Sequence, residues 1–163
     1  MTKQKGFSLI ELLIVVAIIL IIAAIAIPNL MRARMSANES SAAGSIRTIN
    51  TAEVSYFTTY PTIGFNALGN LGGATPCTPS STTGCFIDNF LASATTAATA
   101  KDGFVFNITG VPSTVSYIST GLPVTPNQTG TRAFCSDQTG VIYYDNTGGG
   151  TGCTPGGATS VLQ

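Results

Sequence analysis

Residues 6–16 read Gly6-Phe7-Ser8-Leu9-Ile10-Glu11-Leu12-Leu13-Ile14-Val15-Val16, and the apolar run that they open continues without a charge or a polar side chain over residues 12–27. With Phe7, Leu9 and Ile10 the segment reaches the ~20 residues that a helix needs to cross the hydrocarbon core of a bilayer. It reads as a membrane-spanning helix over residues 7–30. Lys3 and Lys5 precede it with no acidic neighbour, so the positive-inside rule predicts a cytoplasmic N-terminus and an outward-facing remainder. An ordinary secretory signal would be cut after its apolar region, and Ala23, Ala24 and Ala26 offer small residues for such a cut. Glu11 argues against that reading. A charge at mid-helix costs about 2.5–3.5 kcal/mol on insertion scales, and less near a helix end, so a carboxylate in this position needs a reason.

Beyond the apolar run the chemistry changes. The chain has 163 residues, 44% hydrophobic and 9% charged, enough for one globular domain plus one extra element. Ile and Leu are concentrated at the start, with 13 of the 25 in the first 30 residues, and the rest is rich in Thr, Ser, Gly and Ala. Seven basic and seven acidic residues balance, so no net field draws the protein to nucleic acid or anionic lipid. There is no histidine, which removes the commonest general base at neutral pH and a favoured metal ligand. No Ser, Cys or carboxylate constellation accompanies a plausible base, and an enzyme is not expected. The four cysteines, Cys77, Cys85, Cys135 and Cys153, all follow the apolar run. An even number on one side of a membrane suits an oxidising compartment, periplasmic or extracellular.

The stretch from Gly6 to Val16 resembles the processing site of type IV prepilins, shared by type IV pilins and type II secretion pseudopilins. The resemblance implies that a prepilin peptidase cuts after Gly6, removes a basic leader of residues 1–6 and methylates the new amino terminus at Phe7. It further implies a precursor that crosses the inner membrane once, then a helical homopolymer, with or without minor pilins, handled by pilus or secretion assembly machinery. No cofactor and no nucleic-acid partner is implied. Physics adds a reason for Glu11: cleavage creates a positive amine on Phe7, and a carboxylate one turn along a neighbouring subunit can pair with it in a low dielectric. Such a pair sets subunit register, because an unpaired buried charge penalises misaligned neighbours. The bland alternative is that Glu11 snorkels to the interface.

Pro28 lacks a donor and clashes with the carbonyl four residues back, so a kink or loosening is expected just before it. Arg32 and Arg34 follow on the outward side, within reach of headgroups. Over residues 31–60 the helix turns amphipathic, with Ala42, Ile46, Ile49, Tyr56 and Tyr60 on one face. Glu53 falls near the centre of that face and is expected at its margin, since carboxylates are rarely buried. Tyr60-Pro61 should end the helix. In the head, residues 61–163, the expectation is a loop over residues 62–84, a short helix over residues 86–98 carrying Phe86, Ile87, Phe90 and Leu91, and strands around Phe104, Phe106 and Ile108, over residues 115–119, 131–136 and 141–144. A tight connection at Asp137-Gln138-Thr139-Gly140 joins the last two. The fold class is α+β: a long N-terminal helix packed on a four-stranded antiparallel sheet, which is also the plan that the pilin resemblance implies.

Four cysteines allow three connectivities, and sequence alone does not select among them. Local pairing favours Cys77 with Cys85 and Cys135 with Cys153; the second would resemble the C-terminal disulfide loop of many pilins, pinning residues 148–157. Zinc is disfavoured because the spacing is not C-x-x-C and histidine is lacking. Asp137 and Asp145 flank the final hairpin as candidate calcium ligands, but turn-forming aspartates are the simpler reading. Two functions of one kind emerge, a type IV pilus subunit or a type II secretion pseudopilin, with roles in adhesion or motility attached to the former. A membrane-tethered periplasmic binding domain is a third, although a tether needs neither a trimmed amine nor an intramembrane carboxylate.

Overall fold

The computed structural model describes residues 7–147, 153–157 and 160–162. Helix α1 (Leu9–Thr59) is continuous through Pro28, and Tyr60 lies just past its end, as the following Pro61 requires. By internal contacts the chain divides into a unit ending at Arg34 and a unit beginning at Met35.

In the second unit the buried residues of α1 include Ala42, Ile46, Ile49, Ala52 and Tyr56, the three- and four-residue spacing of one helix face. They meet a sheet of β1 (Phe104–Thr109), β2 (Ile118–Pro123), β3 (Ala133–Asp137), β4 (Ile142–Asp145) and β5 (Ser160–Val161), paired in that order and antiparallel throughout. The core joins Ile46, Ile49 and Tyr56 to Phe104, Phe106, Tyr117 and Phe134. The fold is α+β as expected, with one short strand more than the four anticipated: β5 has two residues, too short for a period-two signal.

Three expectations needed correction. Residues 62–84 are not all loop: α2 (Leu68–Leu71) buries Leu68 and Leu71, and Phe65 pairs with Ser113 through two backbone hydrogen bonds. The helix expected over residues 86–98 contracts to α3 (Asn89–Ala92), capped by Asp88 Oδ1 accepting from the Leu91 N–H at 2.8 Å, and a 3₁₀ turn at Ala97–Thr99. The second strand lies downstream of residues 115–119. In β2 the inward positions are Ser119, Gly121 and Pro123, because the Phe106 ring occupies the space beside Gly121, where a Cβ would sit 3.0 Å from it. Hydrophobic alternation therefore points to the wrong residues. The turn at Asp137-Gln138-Thr139-Gly140 is as expected, with the Gly140 N–H donating to the Asp137 carbonyl at 2.9 Å and Gly140 at φ +76°.

Candidate functional site

The first turn of α1 is built by Ser8 and Glu11. Ser8 stands at the N-cap, and Glu11, three residues on, accepts the Ser8 N–H through Oε2 at 3.0 Å, while the Leu12 N–H donates to the Ser8 carbonyl at 3.2 Å. This is the reciprocal arm of a capping box, and the S-x-x-E pattern that announces it was present in the sequence unread. Glu11 Oε1 has no hydrogen-bond partner among the described residues. Gly6, the expected cleavage position, lies outside them. The carboxylate thus has one oxygen engaged at the positive end of the helix dipole and one left over.

The apolar surface that follows is uncovered within this chain. Phe7 is 79% exposed, and even Val16, in the middle of the run, is 47% exposed. α1 is long and apolar enough to cross a membrane. A helix segment greasy on every side is stable only in lipid or against other apolar surfaces. Arg32 and Arg34 are exposed as well.

In the second unit, α1 is fastened by polar groups. Glu39 accepts the N–H groups of Thr131 and Arg132, the Thr131 hydroxyl and Arg132 Nε, at 2.7–3.0 Å. Burial pushes its carboxyl up, but these donors together outweigh burial and hold it below the ordinary value. The Arg132 guanidinium lies over the Phe134 and Tyr144 rings at 5.7 and 5.4 Å. Deeper, Asn50 donates to Ser136 Oγ at 2.7 Å and accepts from the Tyr117 and Ser119 hydroxyls at 3.1 and 3.2 Å. Burial, then the Glu53 and Asp137 charges, push Tyr117 up and keep it a donor.

Glu53 is not at the margin. It is fully buried, because the connection after α1 folds over it and presents the Asn66 N–H to Oε2 at 3.1 Å. Its Oε1 has no hydrogen-bond partner among the described residues. Burial raises its pKa to about 7, with the Asn66 hydrogen bond opposing. Beside it, the Asn66 side-chain amide donates to the Tyr56 hydroxyl, which donates to the Ser81 carbonyl.

Disulfides join Cys77 to Cys85 and Cys135 to Cys153, with Cα atoms 6.0 and 5.7 Å apart. The first closes the loop that carries Ser81; the second ties the interior of β3 to the segment around Cys153. Asp137 and Asp145 each accept the N–H and hydroxyl of the threonine two residues on, the turn-forming geometry. No metal-holding group of carboxylates and cysteines occurs among the described residues.

Residues 1–27 match the prokaryotic N-terminal methylation motif. Over 55 residues the chain is 47% identical to the type IV major pilin protein PilA of Myxococcus xanthus, covering 34% of this chain and 25% of that one. Over 40 residues it is 62% identical to the type IV wide pilus major component PilA4 of Thermus thermophilus, covering 24% and 30%. The chain thus spans between a quarter and a third of the length of these curated relatives. No solved structure matches it significantly.

Proposed function

We propose that this chain is the structural subunit of a type IV pilus, processed by a prepilin peptidase and assembled through the first part of α1. The observation that carries the reading is the methylation motif opening directly into an apolar helix exposed on all sides. Its matched relatives are major pilus components, which favours a fibre over a secretion pseudopilus and a structural role over a catalytic one.

The steps follow from the residues. The precursor sits in the inner membrane with Lys3 and Lys5 on the cytoplasmic side. Cutting after Gly6 removes residues 1–6 and frees an amine on Phe7, which is then methylated. Moving the helix from lipid into a bundle of like helices gains little from hydrophobicity alone, since lipid tails are as apolar as leucine. Packing and polar matching decide the arrangement. Glu11 Oε1, without a hydrogen-bond partner among the described residues, receives the Phe7 amine of a neighbouring subunit, and a subunit shifted out of register leaves both charges unpaired. Pro28 loosens the helix where a bundle must bend, and Arg32 and Arg34 mark its outward limit.

The test is imaging of fibres sheared from cells together with intact-mass analysis of their subunit. The expected result is extracellular filaments whose subunit begins at methylated Phe7 and retains both disulfides. Subunits confined to a periplasmic polymer would transfer the reading to a pseudopilus. A processed protein that stays monomeric in the membrane would overturn it.

A further inference from the structure

The head has two uncovered features, one at the β1 edge of its sheet and one beside the β3–β4 turn. At the β1 edge, the Phe106 N–H donates outward to the Ala94 carbonyl at 2.7 Å, so the α3 segment flanks β1. There Phe90 is 58% exposed, and two residues before it Asp88 uses Oδ1 to cap α3. Asp88 Oδ2 has no partner among the described residues. An aromatic ring and a half-used carboxylate therefore stand together on a short, capped element.

Towards the other edge, a groove of about 500 Å³ runs along α1 beside the β3–β4 turn, lined by Arg47, Asn50, Thr51, Val54, Ser55 and Gly140. Val54 is 53% exposed, and a Cβ at Gly140 would meet nothing within 4 Å. The Arg47 guanidinium has no hydrogen-bond or ion-pair partner among the described residues. At about 4.8 Å per strand, β4 lies about 14 Å from β1 across the sheet, which separates the strand flanked by the knob from the turn beside the groove.

From this arrangement we infer that Phe90 of one copy seats in the groove beside Arg47 and Val54 of the next, with the Asp88 carboxylate paired to the Arg47 guanidinium. The inference rests on the filament reading and names a head-to-head surface for it. Two different patches of one surface make a heterologous contact, which repeats into an open helix when the rotation does not close. An exposed ring entering a groove, flanked by an ion pair, is the arrangement that concentrates interface energy. Arginine suits the pair because its planar fork binds a carboxylate while its face packs on the ring.

The experiment places a photo-reactive benzoylphenylalanine at position 90 of the full chain in pilus-producing cells, and irradiates sheared filaments. The expected adduct is a dimer whose cross-link maps to the peptide carrying Arg47 and Val54. In parallel, Phe90→Ala and Asp88→Asn, the latter retaining the cap since Asn caps as well as Asp, should each lower sheared filament yield about tenfold at unchanged precursor level. Arg47→Glu should do the same, and Arg47→Glu with Asp88→Lys should recover part of the loss. Wild-type filament yields from Phe90→Ala and Asp88→Asn, or an adduct with lipid, with another protein or with a different peptide, overturn the docking surface while the filament reading stands. Absence of filaments from the wild type would sink that reading itself.

Discussion

Along one unbroken helix, the two parts of α1 invert each other. Up to Arg34 its apolar side chains are exposed, whereas beyond Met35 it buries Glu39, Ser45, Asn50 and Glu53 beside Ile46 and Ile49. The first part satisfies its backbone internally and offers apolar surface of little specificity, which suits lipid or a bundle of equals. The second lies against a single sheet and uses polar groups as fasteners, each matched to a named partner. Apolar surface supplies adhesion, and the few polar groups decide which of many similar arrangements is taken. In the filament proposed above, Glu11 takes in the first part the role that Asn50 and Glu39 have in the second, with its remaining partner on a neighbouring subunit.

Glu11→Ala breaks this comparison most severely. Filament yield should fall at least about tenfold, since a lost charge pair of this kind exceeds 1.4 kcal/mol, while membrane insertion of the precursor is unchanged; quantitative blotting of sheared and membrane fractions reads both. Asn50→Ala should come next. Losing its three buried hydrogen bonds to Tyr117, Ser119 and Ser136 costs about 3 kcal/mol, a drop of roughly 10 °C in unfolding midpoint for a domain of this size, measured on the full chain in detergent. The control that sharpens the contrast is Leu20→Ala, which should leave that midpoint where it is.

Glu53 gives a smaller effect with a defined sign. Its folded pKa, about 7 against an ordinary 4.5, means that the folded state holds a proton which the unfolded state releases. Stability is therefore greatest below about 4.5 and declines as pH rises to about 7, by on the order of 2–3 kcal/mol, with a flat lower plateau above. Glu53→Gln should abolish that slope; a variant retaining it would exonerate Glu53. Arg132→Gln should show the smallest change, about 1 kcal/mol, because the Arg132 side chain is partly exposed and Glu39 keeps its three other donors. Because the Glu39 pKa is held low, the contribution is present above the ordinary value of 4.5 and lost as pH falls through the folded one. Only the acid limb of a pH titration of stability should move.

What the sequence revealed depended on how each residue is buried. The amphipathic stripe on α1 and the alternation of Phe104, Phe106 and Ile108 were legible because large apolar side chains fill their own positions. β2 escapes the pattern because Gly121 is inside where the Phe106 ring leaves little room and the buried Ser119 is polar, so smallness replaces hydrophobicity as the signal. Glu53 was misjudged because its donor, the Asn66 N–H, comes from a connection thirteen residues on that periodicity does not register. At the N-terminus the methylation motif is plain, and the same residues also carry the S-x-x-E signal of the Ser8 to Glu11 cap, which a reading of Glu11 as a partner for a neighbouring subunit does not include.

The Tyr56 hydroxyl grips the Ser81 carbonyl, not its side chain. Any amino acid at position 81 presents the same oxygen, so the rim closed by Cys77 and Cys85 can change its outward lettering without loosening the scaffold beneath. In the filament proposed above that rim recurs on every subunit, where the face is free to drift while the frame stays put.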